Sequence, residues 1–106
     1  MPETKRILIV DDDKSVRMLM HSGLKRVDTN WEIETASDGE EALTQIQETP
    51  NPFDLVITDL RMPGMQGLEL IEKLRGISPN TKVILLTAYG SDDVEREAEK
   101  LDVQTY

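Results

Sequence analysis

The residues best placed to do chemistry in this 106-residue chain are carboxylates at the ends of apolar runs. Leu55-Val56-Ile57 leads through Thr58 to a single carboxylate, Asp59, and then into a loop punctuated by Pro63 and Gly64. Ile7-Leu8-Ile9-Val10 stops abruptly at Asp11-Asp12-Asp13, and Val83-Ile84-Leu85-Leu86 stops at Thr87-Ala88. Taken singly, each has a plainer reading: Asp59 as a turn residue, the triplet as a helix cap, Thr87 as a strand-end hydroxyl bonding nearby backbone. Taken together they point elsewhere. In an open parallel sheet the carboxyl ends share one edge, and ligands bind in the crevice beyond it. If the three strands are neighbours, three carboxylates (Asp11, Asp12, Asp59) and one hydroxyl converge there. Like charges that close repel and raise one another's pKa. A hard divalent cation relieves that cost, and oxygen-only ligands without His or Cys favour Mg²⁺. Because Mg²⁺ usually keeps waters and shares a phosphate, the pattern suits a phosphoryl group. A carboxylate can itself accept that group as an acyl phosphate. Asp59, alone at its strand end with a loop able to bring a backbone carbonyl to the metal, is the candidate acceptor. Thr87 is the candidate donor to a phosphoryl oxygen.

The elements that must position these groups follow from hydrophobic period. The continuous, largely β-branched runs at 7–10, 55–57 and 83–86 read as strands buried on both faces. Trp31-Glu32-Ile33-Glu34-Thr35 alternates apolar and polar, as a half-exposed edge strand does. Between them lie helical stripes: Val16, Leu19, Met20, Leu24 and Val27 in the first, Ala42, Leu43 and Ile46 in the second, Leu68, Ile71 and Leu74 in the third. One residue of the Asp triplet caps the first helix, and Ser37-Asp38-Gly39-Glu40 has the form of a capping box for the second. Pro50 and Pro52 close that unit, and Gly76 with Pro79 beyond it ends the third helix. Ser91-Asp92-Asp93 starts a fourth helix carrying Val94, Ala98 and Leu101, and Val103 to Tyr106 opens a further strand. Regular strand–helix alternation with short connections predicts a single α/β domain over residues 1–106, with a parallel sheet and helices on both faces.

Composition narrows the function. A net charge of -9 argues against direct nucleic-acid binding, which requires clustered Lys and Arg. The absence of cysteine rules out disulfides and thiolate chemistry. The lone His21 falls within the first helix and has no partner at metal-binding spacing, so it reads as a surface or boundary residue. No run approaches membrane-spanning length and the first six residues lack the apolar segment of a signal peptide, so the expected location is the cytoplasm.

Three segments, Ile7-Leu8-Ile9-Val10-Asp11-Asp12, Asp59-Leu60-Arg61-Met62-Pro63-Gly64-Met65-Gln66-Gly67 and Leu86-Thr87-Ala88, occur in the order and spacing of one family. The chain resembles the receiver domain of two-component response regulators. The resemblance implies a flavodoxin-like three-layer α/β/α sandwich with parallel strand order 2-1-3-4-5. It implies that a histidine kinase phosphorylates Asp59, that Asp12 binds Mg²⁺ directly and Asp11 through water, and that the backbone carbonyl of Arg61 completes the ligand set. It further implies that Thr87 moves toward the phosphoryl group, aided by the backbone N–H of Ala88, while Tyr106 is the aromatic that rotates with it. An output domain or separate partner then reads the change. Asp13 matches no catalytic position and is expected to cap the first helix.

The resemblance also places a lysine, the rest of a fifth strand and a fifth helix beyond Tyr106, so in these 106 residues the last strand and helix are expected to be incomplete or missing. Two expectations follow: weak or absent phosphorylation of this chain, for want of the lysine's charge, and self-association, as a homodimer or otherwise, through the uncovered C-terminal face, where sheet surface and one side of the first helix are left bare. Two alternatives stand beside the switch. One is a degenerate receiver that binds or dimerises without accepting phosphate. The other is a phosphatase of the haloacid-dehalogenase type, suggested by Asp11-x-Asp13 after a buried strand.

Overall fold

The computed structural model describes residues 4–86, 96, 98–101 and 103–105. The β-branched apolar runs are strands and the stretches of 3.6-residue period are helices: β1 (Arg6–Val10), α1 (Lys14–Val27), β2 (Glu32–Ala36), α2 (Gly39–Glu48), β3 (Leu55–Asp59), α3 (Gly67–Ile77), β4 (Lys82–Leu86) and β5 (Gln104–Thr105). The strands form one sheet in the order β2-β1-β3-β4-β5, with every neighbouring pair parallel. This is the predicted three-layer α/β arrangement, with a fifth strand of only two residues. The alternating segment is indeed the edge strand β2, which exposes Glu32 and Glu34 and half-buries Ile33 and Thr35. Of the expected fourth helix, Arg96 and Ala98 to Lys100 are helical and Ala98 is buried; its start at Ser91-Asp92-Asp93 and Val94 lie outside the described residues.

Strand alternation divides the core into two clusters. Leu8, Val10 and Val56 face α2 and α3, which contribute Ala42, Ile46, Leu70, Ile71 and Leu74. Ile7, Ile9 and Ile57 face the other side, where Met20 and Leu24 of α1 pack on them. The second cluster is narrow, and this corrects the expected inner stripe of α1. No residue of α1 is buried; Leu19 is 74% exposed, Val27 70% and Met18 61%. Only part of the stripe meets the sheet, because α1 lies over β1 and β2 and contributes only Met20 and Leu24 to the cluster on that face. One side of the first helix is thus open, as expected. His21 is half-buried on the same helix, a boundary residue.

The capping pattern is correct for α1 and off by one for α2. The Asp13 carboxylate accepts from the backbone N–H groups of Ser15 and Val16 at the head of α1. At α2 the cap is Asp38, which accepts from the Glu41 N–H, while the Glu41 carboxylate accepts from both the N–H and the hydroxyl of Ser37. The reciprocal partner is therefore Glu41 rather than Glu40, since α2 begins one residue later than a box centred on Ser37 requires.

Candidate functional site

The sheet register builds the site. Val10 lies opposite Thr58 in the β1–β3 ladder, so the next residues, Asp11 just beyond β1 and Asp59 at the last position of β3, sit side by side at the carboxyl edge. Side chains alternate along a strand, and Asp11 follows Ile7 and Ile9 as Asp59 follows Ile57, on the same face. Asp12 is drawn in by the turn into α1. One carboxylate oxygen from each of Asp11, Asp12 and Asp59 lies within 4.8 Å of the others. Three carboxylates from two separate segments thus meet at the carboxyl edge, as the sequence predicts.

Each is held differently. Asp11 is buried, 6% exposed; its N–H donates to the Ala36 carbonyl at 3.1 Å and its Oδ1 accepts from the Asp13 N–H at 2.9 Å. Burial pushes its carboxyl pKa up, the Asp13 N–H pulls it back, and the negative charges of Asp59, Asp12 and Asp13 raise it further. Asp12 is exposed and Asp59 half-buried. Asp13 stands apart, its carboxylate engaged at the helix head. That engagement gives Asp13 the capping role the sequence predicts and keeps it out of the three-acid cluster.

The loop after Asp59 is clamped at both ends. The Leu60 N–H donates to the Leu86 carbonyl at 3.0 Å, and the Gly67 N–H returns to the Leu60 carbonyl at 2.9 Å. Leu60 and Met62 are buried, pinning the loop while Arg61 between them stays exposed. Gly64 takes a left-handed φ of 79°, a turn open to glycine at little cost. Gly67 is constrained from outside: a Cβ there would collide with the Asp59 carbonyl oxygen and lie 3.1 Å from Leu60 Cα.

Thr87, Ala88 and Tyr106 lie outside the described residues. Two residues that bear on the site have no assigned role in the sequence reading. Gly67 is one. The other is Arg17, whose Nη1 donates to the Asp11 carbonyl at 2.6 Å. Its signal was a cation in the first turn of a helix, where the helix dipole disfavours positive charge.

The donor set fits a magnesium ion. The three groups are oxygen donors only, close enough to share one small ion; burial first, and the neighbouring negative charges after it, raise the pKa of Asp11, and a bound cation would offset both costs. An apolar groove lined by Ile7, Leu24, Trp31 and Leu55 opens at the opposite end of the strands and contains none of these acids.

A family profile described as the response regulator receiver domain matches residues 7–106. The chain is 34% identical over 103 residues to sporulation initiation phosphotransferase F of Bacillus subtilis, covering 96% of this chain and 79% of that protein. It is 39% identical over 84 residues to the alkaline phosphatase synthesis transcriptional regulatory protein PhoP of the same organism, covering 79% of this chain but only 33% of the relative. Among solved structures, the chemotaxis protein CheY4 of Vibrio cholerae superposes with a TM-score of 0.85 at 31% identity, covering 97% of this chain and 84% of that one.

Proposed function

Since the chain belongs to the receiver domains of two-component response regulators, which are signalling modules rather than turnover enzymes, we propose that it is a phosphoacceptor switch with Asp59 as acceptor. The observation that carries this reading is the meeting of Asp11, Asp12 and Asp59 within 4.8 Å. Asp12 and Asp59, with the Arg61 carbonyl, would hold Mg²⁺ directly, and Asp11 would hold it through water. When bound, the ion supplies positive charge against the phosphoryl oxygens. The chain's own part is geometric. Asp59 presents a carboxylate oxygen at the strand end, and the bond from phosphorus to the donor breaks as the bond to that oxygen forms. Thr87 and the Ala88 N–H would receive the phosphoryl oxygens, and Tyr106 would follow Thr87 as the switch turns. Such a switch shifts a balance between two conformations by the free energy of the new contacts.

The donor in this reading is a histidine kinase acting in the cytoplasm, and the reader is an attached output domain or a separate protein. The exposed Leu19 and Val27, on the open side of α1, favour a second copy of the chain as a further partner.

Two measurements test the proposal. Calorimetric titration with Mg²⁺ is expected to show binding that Asp12→Asn abolishes. After treatment with acetyl phosphate and Mg²⁺, peptide mass spectrometry should place any label on Asp59, with Asp59→Asn unlabelled and Asp13→Asn labelled as the unaltered chain is. A label on another residue, or no heat of Mg²⁺ binding, overturns the assignment.

A further inference from the structure

Beyond its carboxylates, the site depends on how the β1–α1 turn is held. The Asp11 N–H still belongs to the sheet through the Ala36 carbonyl, but the Asp11 carbonyl turns to a side chain, Arg17. Arg17 adds a side-chain hold on this turn to the backbone bond that opens α1. Its backbone N–H donates to the Asp13 carbonyl at 3.1 Å and its guanidinium to the Asp11 carbonyl at 2.6 Å. The Asp11 carbonyl belongs to the planar peptide joining Asp11 to Asp12, so fixing that oxygen orients both α-carbons that bear the acids.

At the head of α2, two hydrogen bonds from Ser37 hold the Glu41 carboxyl below its ordinary pKa against the opposing effect of burial, and the charge of Arg17 adds the smallest contribution in the same direction. Arg17 is half-buried, and it reaches the site through a backbone oxygen and not through a carboxylate.

We propose that Arg17 is a positioning residue of the acidic site, fixing the Asp11–Asp12 peptide plane so that both carboxylates face Asp59 and the site holds Mg²⁺. This rests on the magnesium reading given above and adds a residue outside the ligand set.

Positioning and simple charge predict opposite signs. Removing a cation near an acidic metal site should tighten Mg²⁺ binding if charge alone matters. Removing a group that orients the ligands should weaken binding, by about tenfold or more where such supports have been removed from metal sites. The experiment is calorimetric titration of Mg²⁺ into the unaltered chain, Arg17→Met and Arg17→Lys, with circular dichroism establishing that each is folded. Arg17→Met is expected to bind about tenfold more weakly. Arg17→Lys, which keeps the charge and a donor on a long stem, is expected to recover most of the loss. If Arg17→Met proves unfolded, Arg17→Gln takes its place with the same expected direction. Unchanged or tighter binding in the folded neutral variant overturns the positioning role while leaving the site intact. Absence of Mg²⁺ binding by the unaltered chain overturns the site and this role with it.

Discussion

Asp11 shows how the site opposes the stability of the fold around it. Its carboxyl is buried beside other acids, so its pKa in the folded chain lies above the unfolded value. The native state then holds the proton more tightly than the unfolded state does. This contribution favours folding at pH below the unfolded value and is lost as pH rises through the folded-state pKa. Near neutrality without metal, the ionised Asp11 is therefore a cost. Asp11→Asn keeps an oxygen able to accept from the Asp13 N–H and removes the charge. It is expected to raise the thermal midpoint of the metal-free chain at neutral pH by a few degrees, while weakening Mg²⁺ binding. The gain should shrink as the pH is lowered through the carboxylate range. Thermal melts in chelator at several pH values test this, and a variant no more stable than the parent at neutral pH contradicts it.

At the scale of elements, the site is a meeting of turns more than of strands. β1 and β3 bring Asp11 and Asp59 to one edge, but the β3–α3 loop and the head of α3 set how Asp59 leaves the sheet. Gly67 is the tightest contact, since any β-carbon would strike the Asp59 carbonyl. The obstacle is backbone and cannot turn aside as a side chain would, so the loop itself must move. Gly67→Ala is expected to cost about 1–3 kcal/mol in chemical denaturation, the usual range for overpacking, and to weaken Mg²⁺ binding as Asp59 shifts. Gly76, where an added Cβ meets open space, is the control: Gly76→Ala should leave Mg²⁺ binding unchanged. Equal effects of the two substitutions would show that Gly67 acts through helix propensity alone.

For the whole molecule, the uneven coverage of the sheet is the main feature. The α2–α3 face forms the larger cluster, with Leu8, Val56, Leu70 and Leu85 fully buried. On the α1 face the buried Ile7, Ile9 and Ile57, with half-buried Ile33, Leu55, Ile84 and Leu86 beside them, receive only Met20 and Leu24 from α1, and Leu19 and Val27 stay in water. Among the described residues no helix is long and apolar enough to cross a membrane. Association of the Leu19 and Val27 side of α1 with a second copy is expected to show as a concentration-dependent mass in sedimentation equilibrium. Leu19→Glu places a charge on its most exposed apolar side chain and should shift the population toward monomer without lowering stability. A parent that is monomeric at all concentrations disposes of this expectation.

Much of the molecule was legible in the residue order because its signals are local. Runs of Ile, Val and Leu bounded by Asp or Pro fix the strands, the 3.6-residue period fixes the helices, and strand–helix alternation fixes the parallel sheet. Asp13 was readable as a cap because a cap acts within three residues. The three-acid cluster was readable once parallel strands were inferred, since all their carboxyl ends share an edge. The sequence could not place the α2 cap to the residue, because Asp38 and Ser37 are both competent caps and the helix start decides between them. Nor could it show which part of the α1 stripe meets the sheet, which depends on where the helix lies over β1 and β2. Arg17 and Gly67 came only from tertiary structure: one reaches back to a carbonyl six residues earlier, and the other is pressed by the backbone eight residues before it. Patterns of residue type determine which elements form, but the distance between a side chain and a carbonyl is set only when those elements have packed.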